Sequence, residues 1–215
     1  MVGVFDSGVG GLISLRRLRT ICDRVDTVYL ADYENAPYGT KKREELIPII
    51  SGNIKRLLAL GCERVLVACC TASAMLKYLP GELSSLASGV VLPTLDSINR
   101  SGLSRIALIA TDRTVEEGCF APSGAEWELF PIKAQPLVGI VERGEWSSPY
   151  IDRLILKIKA TSPEGLILGC THFSHLEKRF LREIPEIRIF SPADIGAVAF
   201  SKEVNNFGFG TEKYV

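Results

Sequence analysis

The chain has 215 residues, enough to bury a hydrophobic core in one α/β domain or in two small ones. Lysine plus arginine and aspartate plus glutamate each number 25, so there is no basic surplus to attract nucleic acid, and a small molecule is the expected partner. The apolar residues 1–5 are followed at once by Asp6 and no apolar run approaches membrane-spanning length, so we expect a cytoplasmic protein with no membrane partner. In that compartment the six cysteines are expected to be free thiols.

Short β-branched runs alternate with segments of helical periodicity along the chain. The predicted strands are residues 2–5, 27–30, 64–68, 90–92, 105–110, 128–132, 165–169 and 187–190. Leucine and isoleucine recur with helical spacing in residues 12–18, 46–58, 151–158 and 176–184. This alternation predicts an α/β fold in which mostly parallel sheets are flanked by helices. Pro48 is expected to kink the second helix or to delay its start.

The chain contains an internal repeat. Residues 64–71 read RVLVACCT and residues 165–171 read GLILGCT, which places Cys69 and Cys170 101 positions apart. The strands at residues 2–5 and 106–110 likewise lead to Ser7 and Thr111, which are 104 positions apart. Two pairs with nearly equal offsets predict two pseudo-symmetric lobes. We expect residues 1–92, completed by residues 191–215, to form one lobe and residues 93–190 the other.

Candidate chemical groups follow four of the predicted strands. Ligands of parallel α/β sheets bind at the carboxyl ends of the strands, where Asp6-Ser7-Gly8, Cys69-Cys70-Thr71, Thr111 with Thr114, and Cys170-Thr171-His172 are expected. Two facing lobes would put Cys69 and Cys170 on opposite walls of one cleft, an arrangement suited to proton transfer on both faces of one carbon. Each also precedes a predicted helix start, where backbone N–H groups lower a thiol pKa. The other cysteines are more typical of small buried residues.

Three alternative interpretations are weaker. Residues 8–11, Gly-Val-Gly-Gly, lack the spacing of a nucleotide-binding loop, and a tight turn or N–H groups exposed to a carboxylate explain these glycines as well. His172 and His175 with Cys170 lack a fourth ligand at matching spacing, so no metal is expected. His172 is more plausible as a proton partner of Cys170, with His175 facing solvent. The basic residues 16–17 and 41–43 are expected on solvated helix faces.

Six stretches in order along the chain resemble the glutamate racemases, a family of the cofactor-independent aspartate/glutamate racemase superfamily. They are residues 4–12 (VFDSGVGGL), 36–40 (APYGT), 67–74 (VACCTASA), 110–115 (ATDRTV), 136–142 (PLVGIVE) and 166–172 (LILGCTH). The resemblance implies racemisation of glutamate for peptidoglycan synthesis without a cofactor or metal, with a homodimer as the possible assembly. One cysteine thiolate would remove the α-proton and the other thiol would return a proton to the opposite face.

The resemblance also implies a role for each matching residue. Cys69 and Cys170 would be the acid/base pair, with Asp6 near the first thiol and Glu142 and His172 near the second. The substrate would be held by Asp6, Ser7, Pro37, Tyr38, Gly39, Cys70, Thr71, Thr111, Thr114, Thr171 and His172. Hydroxyl and backbone N–H groups can bind carboxylates without a buried arginine.

The chain departs from the family pattern in three places. Cys70 stands where the family has asparagine, Glu117 stands where a small polar residue is usual, and the second lobe is shorter between about residues 120 and 165. The loss of the asparagine amide keeps a racemase of aspartate or another amino acid open. Two other classes of protein stay open. One is a glutamate-binding protein without turnover, and the other is a redox or metal-thiol protein. A substrate panel, proton exchange and metal analysis distinguish them.

Overall fold

The computed structural model describes residues 1–122, 124 and 126–206. Over this part of the chain, strands β1 (Val2–Asp6), β2 (Thr27–Ala31), β3 (Arg64–Val67) and β4 (Ala87–Gly89) form one sheet in the order β2-β1-β3-β4. Strands β5 (Arg105–Ala110), β6 (Glu128–Lys133), β7 (Gly165–Gly169) and β8 (Arg188–Phe190) form a second sheet in the order β6-β5-β7-β8. All the pairings within both sheets are parallel. The matching strand orders confirm the predicted pair of similar α/β lobes, here called the first and second lobe.

Helices flank both sheets. The α-helices are α1 (Leu12–Ile21), α2 (Arg43–Ala59), α3 (Cys70–Met75), α4 (Gly81–Ser84), α5 (Val91–Asn99), α6 (Asp112–Glu116), α7 (Pro136–Glu142), α8 (Pro149–Ala160), α9 (Glu177–Glu183) and α10 (Pro192–Asn206). Short 3-10 helices cover Tyr38–Thr40, Leu76–Tyr78 and Thr171–Leu176. Within the described part of the chain, no helix is long and apolar enough to cross a membrane.

The central strands of each lobe, β1 and β3 in the first and β5 and β7 in the second, are buried on both faces. Val2 and Val4 of β1 point into a core shared by the two lobes, which also contains Ile106 and Leu108 of β5 and Phe200 of α10. Alternate residues point to the opposite face, where the first lobe has its own core beneath α2 and the second has one beneath α7 and α8. The shared core holds the carboxyl ends of the two central strand pairs, β1 with β3 and β5 with β7, close to one another.

One predicted strand is wrong. Residues 90–92 do not form a strand, since β4 lies just before them and α5 begins at Val91. The Ser73 hydroxyl accepts hydrogen bonds from the N–H groups of Val90 (2.9 Å) and Val91 (3.3 Å) and thereby satisfies the start of the helix. Pro93 is accommodated in the first turn, where its missing N–H breaks no helical bond. Pro48 does not delay α2, which begins five residues earlier at Arg43.

Helix α10 packs against α1 and α5, and the Ser14 hydroxyl donates to the carbonyl of Ala193 (2.9 Å). The last residues of the predicted first lobe, 207–215, lie outside the described residues. The expected boundary near residue 92 falls inside α5, and the division of the chain into two units stays a prediction.

Candidate active site

The carboxyl ends of β1, β3, β5 and β7 surround a small cavity between the lobes. It is lined by Ser7, Gly8, Tyr33, Ala36, Pro37, Tyr38, Gly39, Cys69, Thr71, Thr111, Gln135, Val138, Glu142, Cys170, Thr171 and His172. Its volume of about 50 Å³ has room for a few water molecules but not for an amino acid. The lobes therefore have to separate before a substrate of that size can enter. Two larger clefts, of about 610 and 710 Å³, lie beside α5 and α10, and the paired thiols line neither.

The first thiol, Cys69, directly follows β3 and precedes α3. The thiol is buried, and its Sγ lies 3.6 Å from the Ser7 hydroxyl. Burial and, to a smaller extent, the negative charge of Asp6 raise the pKa of Cys69 to about 11, although hydrogen bonds from the Ala72 N–H and from Ser7 act in the opposite direction. Cys69 is therefore a neutral thiol at pH 7.

Asp6, at the end of β1, is completely buried behind the first thiol. Its carboxylate accepts hydrogen bonds from the Gly8 N–H (2.9 Å) and from the Thr171 hydroxyl of the second lobe (3.2 Å). Burial nevertheless dominates and raises the pKa of Asp6 from 3.8 to about 7. A carboxyl group with this pKa can gain or lose a proton near neutral pH.

The second thiol, Cys170, follows β7 and is backed by a histidine and a carboxylate. Its Sγ lies 3.7 Å from Nδ1 of His172, and Nε2 of the same ring lies 3.1 Å from Oε1 of Glu142. Burial and the nearby Cys69 raise the pKa of Cys170. Burial lowers the pKa of His172, and Glu142 only partly offsets this, so the ring is neutral at pH 7 and able to accept a proton. The order thiol, imidazole, carboxylate is typical of an activated cysteine.

Three threonine hydroxyls link the lobes beside the cavity. Thr71 Oγ1 lies 3.0 Å from both Thr111 Oγ1 and Thr114 Oγ1, which are 2.8 Å apart. Thr71 belongs to α3, whereas Thr111 and Thr114 belong to the turn that begins α6. Hydroxyl groups can reorient to donate to an anion, so this cluster is suited to holding a carboxylate.

A buried polar network fixes Tyr38 in the cavity wall. Its phenol donates to Oδ2 of Asp32 (2.5 Å), and the Asn53 amide donates to the same oxygen (2.7 Å). Burial opposes ionisation of Asp32, but hydrogen bonds from Tyr38, Asn53 and Asn35 together hold its pKa below the ordinary value. The ionised Asp32 in turn orients the phenol.

A second group of contacts joins the lobes at the edge of the cavity. The Arg43 guanidinium donates to both carboxylate oxygens of Glu117 (3.2 and 3.0 Å), and Tyr78 donates to the same carboxylate (3.2 Å). Arg113 of α6 reaches across to the carbonyl of Lys41 (2.8 Å). The Glu117 side chain is only 1% exposed. The expectation that residues 41–43 form only a solvated face is therefore wrong for Arg43, although Lys42 is exposed.

Close approach between the lobes explains two glycines. A Cβ atom at Gly10 would collide with the hydroxyl of Thr171, and one at Gly39 would lie 2.6 Å from Cβ of Thr111. Neither glycine has a positive φ, and Gly10 lies in the expected tight turn, which the hydrogen bond from the Leu12 N–H to the Val9 carbonyl closes (3.1 Å). Both positions require glycine because the opposite lobe lies directly against the backbone.

The structure brings most of the predicted site residues to the cavity, with three exceptions. Asp6 and Thr114 stand behind the lining and bond to Thr171 and Thr71. Cys70 packs into the shared core, because α3 begins there and successive helical side chains diverge in direction. The Cys70 side chain therefore does not line the cavity, and a contribution of Cys70 to substrate binding stays a prediction. His175 is exposed, as predicted.

Sequence reasoning missed four lining residues, which are Tyr33, Ala36, Gln135 and Val138. Gln135 follows β6, so the rule that ligands meet the carboxyl ends of strands could have found it. In residues 1–122, 124 and 126–206, no three histidine, cysteine or acidic side chains are arranged to hold a metal ion.

Two α/β lobes contribute one thiol each to a common cleft, where His172 lies next to Cys170 and the charge of the buried Asp6 acts on Cys69. These features define a protein built for acid/base chemistry. No family model matches the chain. It is 35% identical over 201 residues to the glutamate racemase of Thermus thermophilus, covering 91% of this chain and 76% of that protein. It is 32% identical over 196 residues to the glutamate racemase of Leptospira borgpetersenii, covering 88% and 76%. The chain therefore belongs to the glutamate racemase family.

A solved structure agrees with this assignment. The structure of the Thermus thermophilus glutamate racemase, in complex with beta-chloro-D-alanine, has a TM-score of 0.82 and 28% identity. The match covers 99% of this chain and 83% of that one. Both lobes of the present chain therefore have counterparts in the solved enzyme.

Proposed function

We propose that the chain interconverts L- and D-glutamate with Cys69 and Cys170 as the two acid/base groups. The observation that carries this proposal is the placement of one thiol from each lobe on the same cavity, with His172 beside Cys170. Family membership supports glutamate as the substrate and D-glutamate for peptidoglycan as its use. Cytoplasmic location, a further part of the proposal, fits the free cysteines among the described residues.

The reaction needs one thiol to lose its proton before it can act as a base. Both thiols are neutral at pH 7 because burial raises their pKa values. A substrate ammonium group entering the closed cavity would favour the thiolate through its positive charge. Asp6 would serve as the proton acceptor near Cys69, and His172 would do so for Cys170 at 3.7 Å.

In the chemical step, the thiolate forms an S–H bond with the α-proton while the C–H electron pair moves into the carboxylate as an enolate. The opposite thiol then gives its proton to the other face of the carbon and becomes a thiolate. The hydroxyl groups of Ser7, Thr71 and Thr171, with nearby N–H groups, would stabilise the negative charge on the enolate. The two thiols have exchanged protonation states at the end, which is the starting condition for the reverse direction.

The test is racemisation of L-glutamate and L-aspartate, followed by chiral chromatography, with the wild type, Cys69→Ser, Cys170→Ser and Cys62→Ser. Cys62 is a buried thiol beneath α2 and serves as the matched control. We expect turnover of glutamate by the wild type and the control, and a loss of at least about 10²-fold in either active-site variant, as removal of an acid/base group typically causes. A folded wild type that racemises neither amino acid would overturn the proposal, and preference for aspartate would overturn its substrate.

Dimer formation stays a prediction from the family resemblance. Sedimentation of the purified protein with and without D-glutamate measures it directly.

A further inference from the structure

The turn between β1 and α1 carries groups that contact the first thiol. The Ser7 hydroxyl lies 3.6 Å from Cys69 Sγ, and hydrogen bonds from this hydroxyl and from the Ser7 N–H partly counter the effect of burial on the pKa of the thiol. Asp6 precedes the turn, and the Gly8 N–H donates to its Oδ1 atom (2.9 Å). The position of Ser7 against Cys69 therefore depends on how firmly the turn is held at Asp6 and at Gly8.

Tyr29 holds the Gly8 end of this turn from the neighbouring strand. It lies on β2, opposite Val4 of β1, and is half-buried. Its phenol donates to the Gly8 carbonyl (2.6 Å). The phenol oxygen also packs against Gly11, where an added Cβ atom would lie 2.9 Å from this oxygen and 2.5 Å from Cβ of Asp6. Tyr29 and Asp6 thus contact the same turn from two sides.

The phenol of Tyr29 is placed to act through the turn and not on a ligand. Tyr29 does not line the cavity, and its hydroxyl hydrogen already bonds to the Gly8 carbonyl. We propose that Tyr29 is a positioning residue, which holds the Asp6-Ser7-Gly8 turn in place against the Cys69 thiol. The proposal rests on the proposed racemisation, because it assigns Tyr29 a role in preparing one of the two thiols.

The effect of Tyr29 on the thiol comes from position and not from charge. Burial, followed by the negative charge of Asp6, raises the pKa of Tyr29 above its ordinary value, so the phenol is neutral at pH 8. Tyr29→Phe therefore removes a hydrogen-bond donor without removing a charge. The Gly8 carbonyl then lacks this donor, the turn gains freedom, and the hydrogen bonds from Ser7 to Cys69 are weaker on average.

The experiment follows alkylation of the two cavity thiols by iodoacetamide in the wild type, Tyr29→Phe and Tyr150→Phe. Early modification of Cys69 and Cys170 at pH 8 is quantified by peptide mass spectrometry. Both thiols line the same cavity, so separation of the lobes affects both rates alike and cancels in their ratio. Tyr150 lies on α8 of the second lobe, which contributes no residue to the cavity lining, and is the matched control. Thermal unfolding confirms that both variants are folded, and kcat and KM for glutamate are measured in parallel.

We expect Tyr29→Phe to lower the ratio of Cys69 to Cys170 alkylation by about threefold or more, because weaker hydrogen bonds leave less of Cys69 as thiolate. The value of kcat should fall by about tenfold, as for a small misplacement of a reacting group, while KM changes by less than about threefold. Tyr150→Phe should leave the ratio, kcat and KM within about twofold of the wild type.

An unchanged or higher ratio in Tyr29→Phe would overturn the proposal even if kcat falls, since Tyr29 would then only support the fold. An unchanged kcat in Tyr29→Phe, with an active wild type, would also overturn it. Alkylation needs no turnover, so a folded wild type that fails to racemise glutamate refutes the proposed reaction, while the ratio still tests how Tyr29 positions the turn.

Discussion

Replacing Asp6 by asparagine should change the stability of the protein in a pH-dependent way. The difference in free energy of unfolding, variant minus wild type, should be larger at alkaline pH than at acidic pH. Burial raises the pKa of Asp6 from 3.8 to about 7, so the folded state binds a proton that the unfolded chain releases between these values. This proton uptake by Asp6 stabilises the folded wild type. Its contribution to the free energy of unfolding is fully present below about pH 4 and is lost as the pH rises to about 7. The shift corresponds to roughly 4 kcal/mol in total, of which roughly 2–3 kcal/mol falls between pH 5 and pH 8. Asparagine cannot ionise, so the variant does not lose this stability as the pH rises.

Urea unfolding of wild type and Asp6→Asn at pH 5, 6, 7 and 8 measures the effect. The difference in free energy of unfolding, variant minus wild type, should rise by about 2 kcal/mol or more across this range. Asp26→Asn removes a carboxylate at an exposed position and is the control. A constant difference for Asp6→Asn would refute the reasoning, since it would mean that the buried carboxyl group is ionised throughout.

Three other changes test the contacts around the cavity. Tyr38→Phe removes a donor from buried Asp32 and should lower the free energy of unfolding by about 1–3 kcal/mol in urea titrations, while a change within error would contradict the role of this network. Arg43→Glu places two negative charges together between the lobes and should raise KM for glutamate. Adding Glu117→Arg should restore the wild-type KM, whereas additive effects of the two changes would exclude a direct pair. Thr71→Val breaks the inter-lobe hydroxyl cluster and should raise KM more than it lowers kcat in steady-state assays. An unchanged KM would show that the cluster does not take part in substrate binding.

Much of the fold could be predicted because the relevant signals are local. The β-branched runs ending at Asp6, Cys69 and Cys170 mark buried strands, and the repeated offset between the halves is readable without any contact information. The apolar residues 90–92 could not be assigned from periodicity, because a short apolar run fits a buried strand as well as a helix start. The hydroxyl of Ser73, which caps that helix from a distance of 17 residues, decides the outcome.

Only the site residues that directly follow a predicted strand could be found from the sequence. The side-chain direction of Cys70 depends on where α3 begins, which sequence does not fix to one residue. The pairing of Arg43 with Glu117 joins residues 74 positions apart, and neither position alone indicates the other. Gln135 was missed because a single glutamine has many surface roles, and its place against Gly39 of the other lobe is visible only when the packing of the lobes is known.

The central claim is that two different thiols act on opposite faces of the α-carbon. Its most direct test is early racemisation of L-glutamate in heavy water, with the deuterium content at Cα measured separately in each enantiomer by chiral separation and mass spectrometry. We expect the D-glutamate formed to carry deuterium from the first turnovers, while the remaining L-glutamate still carries protium. D-glutamate that retains the original protium, or deuterium entering both enantiomers at the same early rate, would contradict it.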